Sequence, residues 1–154
     1  MKCLSCNKKE SKYKYCKKCF VNIVERRVRK HVRVFGLKKD QKIVVNDNVT
    51  MYFLENIIHL PLKINKNIGL KLSLITIDDE CSAYLERLLL GKKTKKHNSL
   101  FSCLTDEELV MYCDYKKIKF VPKKSLMKEK LHKIEKKHQG TLYALHKSMV
   151  DGVL

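Results

Sequence analysis

The sequence predicts an α/β chain, with a small cysteine module ahead of an open, mostly parallel sheet and its flanking helices. Three observations carry that reading. Two C-x2-C pairs open the chain, and an apolar run, Ile43, Val44 and Val45, leads through a short polar loop into a helical pattern. Strand-like and helix-like segments then alternate to the C-terminus, which is how parallel sheets are wound.

The cysteines come first. In "CLSCNKKESKYKYCKKC", Cys3 and Cys6 face Cys16 and Cys19 across nine residues. Each pair forms a tight knuckle that aims two sulfurs at one point, and two such knuckles complete a tetrahedral four-sulfur site for zinc. All four positions are cysteine, so the site is structural, with no place left open for chemistry. The polar loop between the pairs cannot fold by itself, and metal binding supplies its folding energy. Disulfides or another thiophilic metal are the alternatives. Residues 1–20 are read as this zinc-binding module.

Residues 21–37 are read as a basic connecting helix. Phe20, Ile23, Val24, Val28, Val32 and Phe35 recur at helical spacing, while Arg26, Arg27, Arg29, Lys30, His31 and Arg33 occupy the other faces. Glu25 is the one acid among them. A solvated helix face usually mixes its signs, so Arg26, Arg27, Arg29, Lys30 and Arg33 are candidate contacts to nucleic-acid phosphates. His31 is expected to join that surface.

Residues 38–154 are read as the α/β body. Gly36 stops the basic helix, "KIVV" supplies the first strand, and a helix follows over about 48–58, ended by Pro61. "GLKLSLITI" (69–77) is the second strand candidate. "DDECSAYLERLLL" (78–90) is a helix with acids in its first turn and Gly91 beyond its end. Thr105 and Glu108 form a capping-box signature, "IKFV" (118–121) is a third strand candidate, and two helices divided by Gly140 close the chain. The lysine-rich patch at 92–96 is expected to be an exposed loop. Asp78, Asp79 and Glu80 are expected to complement a helix dipole. His132, His138 and His146, and the lysine-rich face at 128–137, are expected to be solvated. His59 is read as a packing residue, and Cys81, Cys103 and Cys113 as small buried hydrophobes.

Composition narrows the function. Lys and Arg total 34 against 16 acids, a formal charge of +18. Four thiolates on one divalent ion would lower it by two, to about +16. Such an excess favours a polyanionic partner, most often nucleic acid, although a lysine-rich translation of an AT-rich genome produces the same excess. No apolar run approaches the roughly 18 residues a membrane helix needs. Met1 and Lys2 lead straight into the cysteine pair, so no secretory signal, no membrane partner and a cytoplasmic location are expected.

In order along the chain, the cysteine module, the Phe20 basic helix, "KIVV", "DDECSAYLERLLLGK", "LTDEELVMYCDYKKIKF" and "LHKIEKKHQGTLYALHKSM" resemble the cytoplasmic tRNA 2-thiolation proteins. These belong to the PP-loop superfamily, with a Rossmann-like sheet. The resemblance implies a reduced PP-loop-type body. Active members carry a Ser-Gly-Gly-Lys-Asp-Ser loop after the first strand, whose glycines and lysine hold ATP phosphates. Here that place reads Asn46-Asp47-Asn48-Val49-Thr50. Paired body cysteines, used for sulfur transfer or an iron–sulfur cluster, are absent as well.

The sequence therefore resembles the non-catalytic second subunit in shortened form, with no catalytic and no nucleotide-binding residue assigned. The implied function is support of tRNA wobble-uridine (U34) 2-thiolation, beside a catalytic subunit in a heterodimer and with a ubiquitin-like sulfur carrier. Two alternatives stand beside it: an active ATP-dependent tRNA sulfurtransferase with an altered loop, and a stand-alone zinc-ribbon RNA-binding protein.

Overall fold

In a computed structural model of the chain, residues 1–8, 14–91, 93 and 97–152 are described. The chain runs α1 (Lys17–Phe35), β1 (Lys42–Val44), α2 (Asn48–Asn56), β2 (Lys63–Ile64), β3 (Leu70–Lys71), α3 (Ile77–Leu90), α4 (Asp106–Lys116), α5 (Leu126–Lys137) and α6 (Thr141–Val150). The α/β class expected from the sequence is what is found.

The sheet is small and parallel, ordered β2-β1-β3. Ile43 in the centre pairs with Ile64 on one side and Leu70 on the other. The link into β3 passes so close to β1 that only glycine fits. A Cβ on Gly69 would lie 2.5 Å from the Lys42 carbonyl oxygen, and its φ of +148° is open to few other residues.

Two strand expectations need correction. "GLKLSLITI" contributes only Leu70–Lys71 to the ladder, and an isolated bridge from Leu72 to Asn98 extends it. The rest of that run leads into α3, whose N-cap is Thr76. "IKFV" at 118–121 is not a strand. Its side chains do alternate between half-buried and exposed, but the segment is coil, and Ile118 N–H bonds back to the Cys113 carbonyl at 2.9 Å. Alternation reports which side of a chain is covered, and this one is covered without a ladder partner among the described residues. The edge strand β2 is two residues long and exposed, too short to stand out in the Leu60-Leu62-Ile64 alternation around it.

Helix boundaries follow local chemistry. Gly36 at φ +82° closes α1 and returns its N–H to the Val32 carbonyl. The Thr105–Glu108 capping box begins α4 as expected, and a second box, Thr76 with Asp79, begins α3. The main core is built on Phe53, whose ring meets Phe101 edge-on at 5.0 Å and Tyr112 at 4.9 Å. Phe20, Val24, Val28 and Val32 bring one face of α1 into it. A smaller cluster, Ile77, Cys81, Leu131 and Leu142, binds α3 to α5 and α6. Among the described residues no helix is long and apolar enough to cross a membrane. The basic loop expected at 92–96 lies, apart from exposed Lys93, outside the described residues.

Candidate metal centre and basic helix

The four N-terminal cysteines do converge. One Sγ from each of Cys3, Cys6, Cys16 and Cys19 lies within 4.8 Å of the others, and Cys6 and Cys16 are 4.0 Å apart. A tetrahedral ion with metal–sulfur bonds of about 2.3 Å holds its sulfurs roughly 3.8 Å apart, so the donors fit one ion. Local backbone bonds build the site. Asn7 N–H donates to the Cys3 carbonyl at 2.9 Å and closes the first knuckle, and Leu4 N–H donates to Lys14 at 2.9 Å and holds the two knuckles together. Cys16 is the N-cap of α1 and Cys19 sits in its first turn. The positive end of the helix therefore faces the sulfurs and favours thiolates.

The thiols are electrostatically unequal. The Cys16 and Cys6 backbone N–H groups lower the Cys3 pKa to about 6. Ser5 pulls Cys19 down as well, but the neighbouring sulfur of Cys16, burial, and the sulfurs of Cys6 and Cys3 push it up to about 12. Four thiolates at this spacing repel one another, and a bound cation removes that repulsion.

The basic residues of α1 divide into two sets. Arg26, Arg29, Lys30 and Arg33 lie opposite the buried Phe20–Val24–Val28–Val32 stripe, and among the described residues the ion pair of Arg29 is a long contact, 3.9 Å, with Glu25. Arg27 faces α4 and α6. Its guanidinium donates to Glu108 Oε1 at 2.6 Å and to the Tyr143 hydroxyl at 3.0 Å, and it lies over the Tyr143 ring. Burial lowers its pKa, but the Glu108 carboxylate reverses that and holds it above the ordinary value. His31 is not on the open basic surface as expected. It is half-buried, with Nε2 3.0 Å from the Ser99 carbonyl and its ring stacked on Phe35. His59, expected to pack, is exposed.

The loop after β1 is closed by its own side chain. Asp47 is the N-cap of α2, and its Oδ1 accepts the Thr50 N–H at 2.7 Å. The donors that would face a nucleotide phosphate thus meet a carboxylate, and the loop has no glycine to let a phosphate approach. These residues do not fit a bound nucleotide triphosphate.

The body cysteines are shielded from solvent to different degrees. Cys81 and Cys113 are buried and Cys103 is half-buried, and burial is the leading cause that pushes all three thiols up to about 12. Among the described residues, the N-terminal group is the only set of three or more cysteines at ligand spacing.

The acidic start of α3 does more than complement a dipole. Asp78 Oδ1 meets His132 Nε2 at 2.5 Å, and Asp78 Oδ2 accepts the Asp106 N–H at 2.7 Å. Asp106 accepts from Thr76 Oγ1 at 2.6 Å and from Lys128 Nζ at 2.8 Å, and Lys128 also meets Asp79 at 2.7 Å. Glu80 accepts from Ser102 at 2.6 Å and lies 2.7 Å from His146. The expectation of a solvated surface is therefore corrected for His146, Lys128 and Leu131, which turn inward, whereas Lys130, Lys133, Lys136, Lys137 and His138 are exposed as expected and His132 stays partly exposed while meeting Asp78. Asp78, Asp106 and His132 are near enough to share a metal, but the Lys128 ammonium already lies on Asp106.

Glu80 gives this network a pH dependence. Burial raises its pKa, but hydrogen bonds from His146 and Ser102 outweigh burial and leave it below the ordinary carboxylate value. Its stabilising contribution is present above the unfolded-state value, about 4.3, and is lost as pH falls through the lower folded value. Urea midpoints taken between pH 6 and pH 3 should fall less steeply in Glu80→Gln than in the parent chain. Equal slopes would mean that the carboxylate is not held in this way.

No family model matches the sequence, and no curated protein matches it. Among solved structures, the chain is similar to the U34-tRNA thiolase NcsA from Methanococcus maripaludis, determined with its [4Fe-4S] cluster. The TM-score is 0.67 at 15% identity, over 96% of this chain and 86% of that one. This chain therefore has the fold of that thiolase over nearly its whole length.

Proposed function

We propose that this protein is a non-catalytic subunit in tRNA wobble-uridine (U34) 2-thiolation. One observation carries the reading. A fold similar to that of a U34-tRNA thiolase is kept while the helix that would face nucleotide phosphate is capped by Asp47. The burial of the body cysteines supports it, since burial pushes all three thiols up to about 12, away from the reactive thiolate. In this role the four-cysteine module holds zinc, for which the single-ion spacing of the sulfurs is the support. The cationic face of α1, with Arg26, Arg29, Lys30 and Arg33, takes tRNA phosphates, and Arg27 secures α1 to the body. The body docks on a catalytic subunit, which receives sulfur from a ubiquitin-like carrier in the cytoplasm.

The test is mass spectrometry of bulk tRNA from cells with and without this gene product. The expected result is loss of 2-thiouridine at position 34. Restoration should follow from the parent chain and also from Asp47→Ala, because no nucleotide chemistry runs through that loop. Unchanged thiolation in the deletion would overturn the proposal.

A further inference from the structure

We infer that the metal module and α1 together build a seat for a single RNA phosphate, and that metal binding and phosphate binding are thereby linked. The inference rests on RNA being the partner, as proposed above, and adds where one phosphate is held and what shapes that place.

A cleft of about 280 Å³ opens between the first knuckle and the outer face of α1, lined by Ser5, Cys19, Asn22, Ile23, Arg26 and Arg29. That volume is below the range of drug-sized ligand sites and ample for one phosphate group. Four of the six residues bring hydrogen-bond donors, and none is acidic. Asn22, Arg26 and Arg29 follow one another at helical spacings of four and three, so their side chains converge on one strip of α1. Two guanidinium groups on one strip can grip a phosphate from two sides, each with a fork of N–H donors.

Glu25, the acid within α1, does not close the seat. Glu25 Oε1 is engaged by the Tyr112 hydroxyl at 3.0 Å and by Lys116 at 3.2 Å, and Arg29 reaches only the other oxygen at 3.9 Å. Arg29 can therefore turn to a phosphate at little cost. Arg27, between Arg26 and Arg29 in sequence, is held by Glu108 and Tyr143 on another side of the helix.

The metal enters through the walls. Ser5 lies between Cys3 and Cys6 in the first knuckle, while Cys19 belongs to the second. The two stand facing each other when an ion holds all four sulfurs, so release of the ion opens one wall of the cleft. Linkage is reciprocal, and a phosphate in the seat stabilises the metal-loaded module in turn.

The experiment measures binding of an unmodified tRNA transcript as a function of salt. Each neutralised phosphate contributes about 0.7–0.9 to the slope of log K against log salt. If Arg26 and Arg29 share one phosphate, the double variant should flatten the slope by about one unit, and Arg26→Ala and Arg29→Ala should each flatten it by less than that. Two arginines acting on separate phosphates would instead give about two units in the double variant, and that result, or no change, overturns the shared seat. Removing the metal from the parent chain should flatten the slope by the same single unit, with no further change in the double variant. An unchanged slope after metal removal overturns the linkage. Circular dichroism on each sample confirms that the helical body is intact. Because only binding is read, a thiolation pathway that proves unaffected by this protein would leave the result standing.

Discussion

Replacing Lys128 with methionine should cost about 3–5 kcal/mol of folding stability, the range seen when one partner of a buried ion pair is removed. The Lys128 side chain is 5% exposed and lies 2.7 Å from Asp79 and 2.8 Å from Asp106, which is itself 6% exposed. Methionine fills the space of the stem but leaves two carboxylates facing each other without a cation, beside a third at Asp78. Domains of this size are typically stable by only about 5–15 kcal/mol, so the loss is a large share of the total. Adding Asp106→Asn should recover part of it by removing one uncompensated charge while keeping the acceptor for Thr76. Urea unfolding at neutral pH decides the matter, and a loss below about 1 kcal/mol would show that the network is not a stabilising one.

The same lysine sets an alkaline limit. Burial lowers its pKa, but the bonds to Asp106 and Asp79 more than reverse this, so the ammonium is held above its ordinary value. Asp106 moves upward also, because burial and the nearby Asp78 outweigh what Lys128 and Thr76 contribute. Lysine serves two carboxylates, whereas Asp106 shares one lysine and faces another acid. The lysine contribution is complete below about pH 10.4 and is lost as pH rises through the higher folded value. Lys128→Met should lack that alkaline decline.

Metal removal should produce the other large effect, and it should be confined to one end of the chain. Structural zinc sites in small peptides bind with about 10–16 kcal/mol near neutral pH, and that energy is folding energy for the knuckles. A chelator should expose Cys3, Cys6, Cys16 and Cys19 to thiol reagents and speed amide exchange around them. Helix α1 should persist, because Phe20, Val24, Val28 and Val32 are anchored in the main core. Two substitutions separate the contributions. Cys16→Ala loses a ligand, while Cys16→Ser loses the same ligand but places a good capping residue at the start of α1. The serine variant should therefore lose the metal and yet melt above the alanine variant, by about 1 kcal/mol of stability. Equal thiol reactivity with and without chelator would exclude a metal centre here.

How much of this was legible in the sequence depended on the range of the interaction. The metal site was legible because ligands three apart in a knuckle are a local pattern. The Gly36 stop and the Thr105–Glu108 box were legible for the same reason. The Thr76–Asp79 box carried an equal signal, but it was hidden by extending the preceding strand through Ile77. The interior network was not legible. His132 meets Asp78 across 54 positions, His146 meets Glu80 across 66, and Arg27 meets Glu108 across 81. Helical periodicity marks Lys128 and His132 as polar positions without saying which neighbour covers them. Strand alternation failed at 118–121 in the same manner, reporting coverage where a hydrogen-bonded partner was needed.

Asp47 bears on how such a chain could change. A carboxylate attached three residues from the amide it binds acts as a tethered inhibitor, with an effective concentration of at least the millimolar order. A free nucleotide must displace it before reaching the helix end. Asparagine at this position would cap α2 just as well, so single substitutions toward polar residues keep the door shut. Opening it would require losing the cap and gaining glycine together, and each step alone weakens the helix without creating a pocket. The capped loop thus resists stepwise change, whereas the basic face of α1 is under no such constraint.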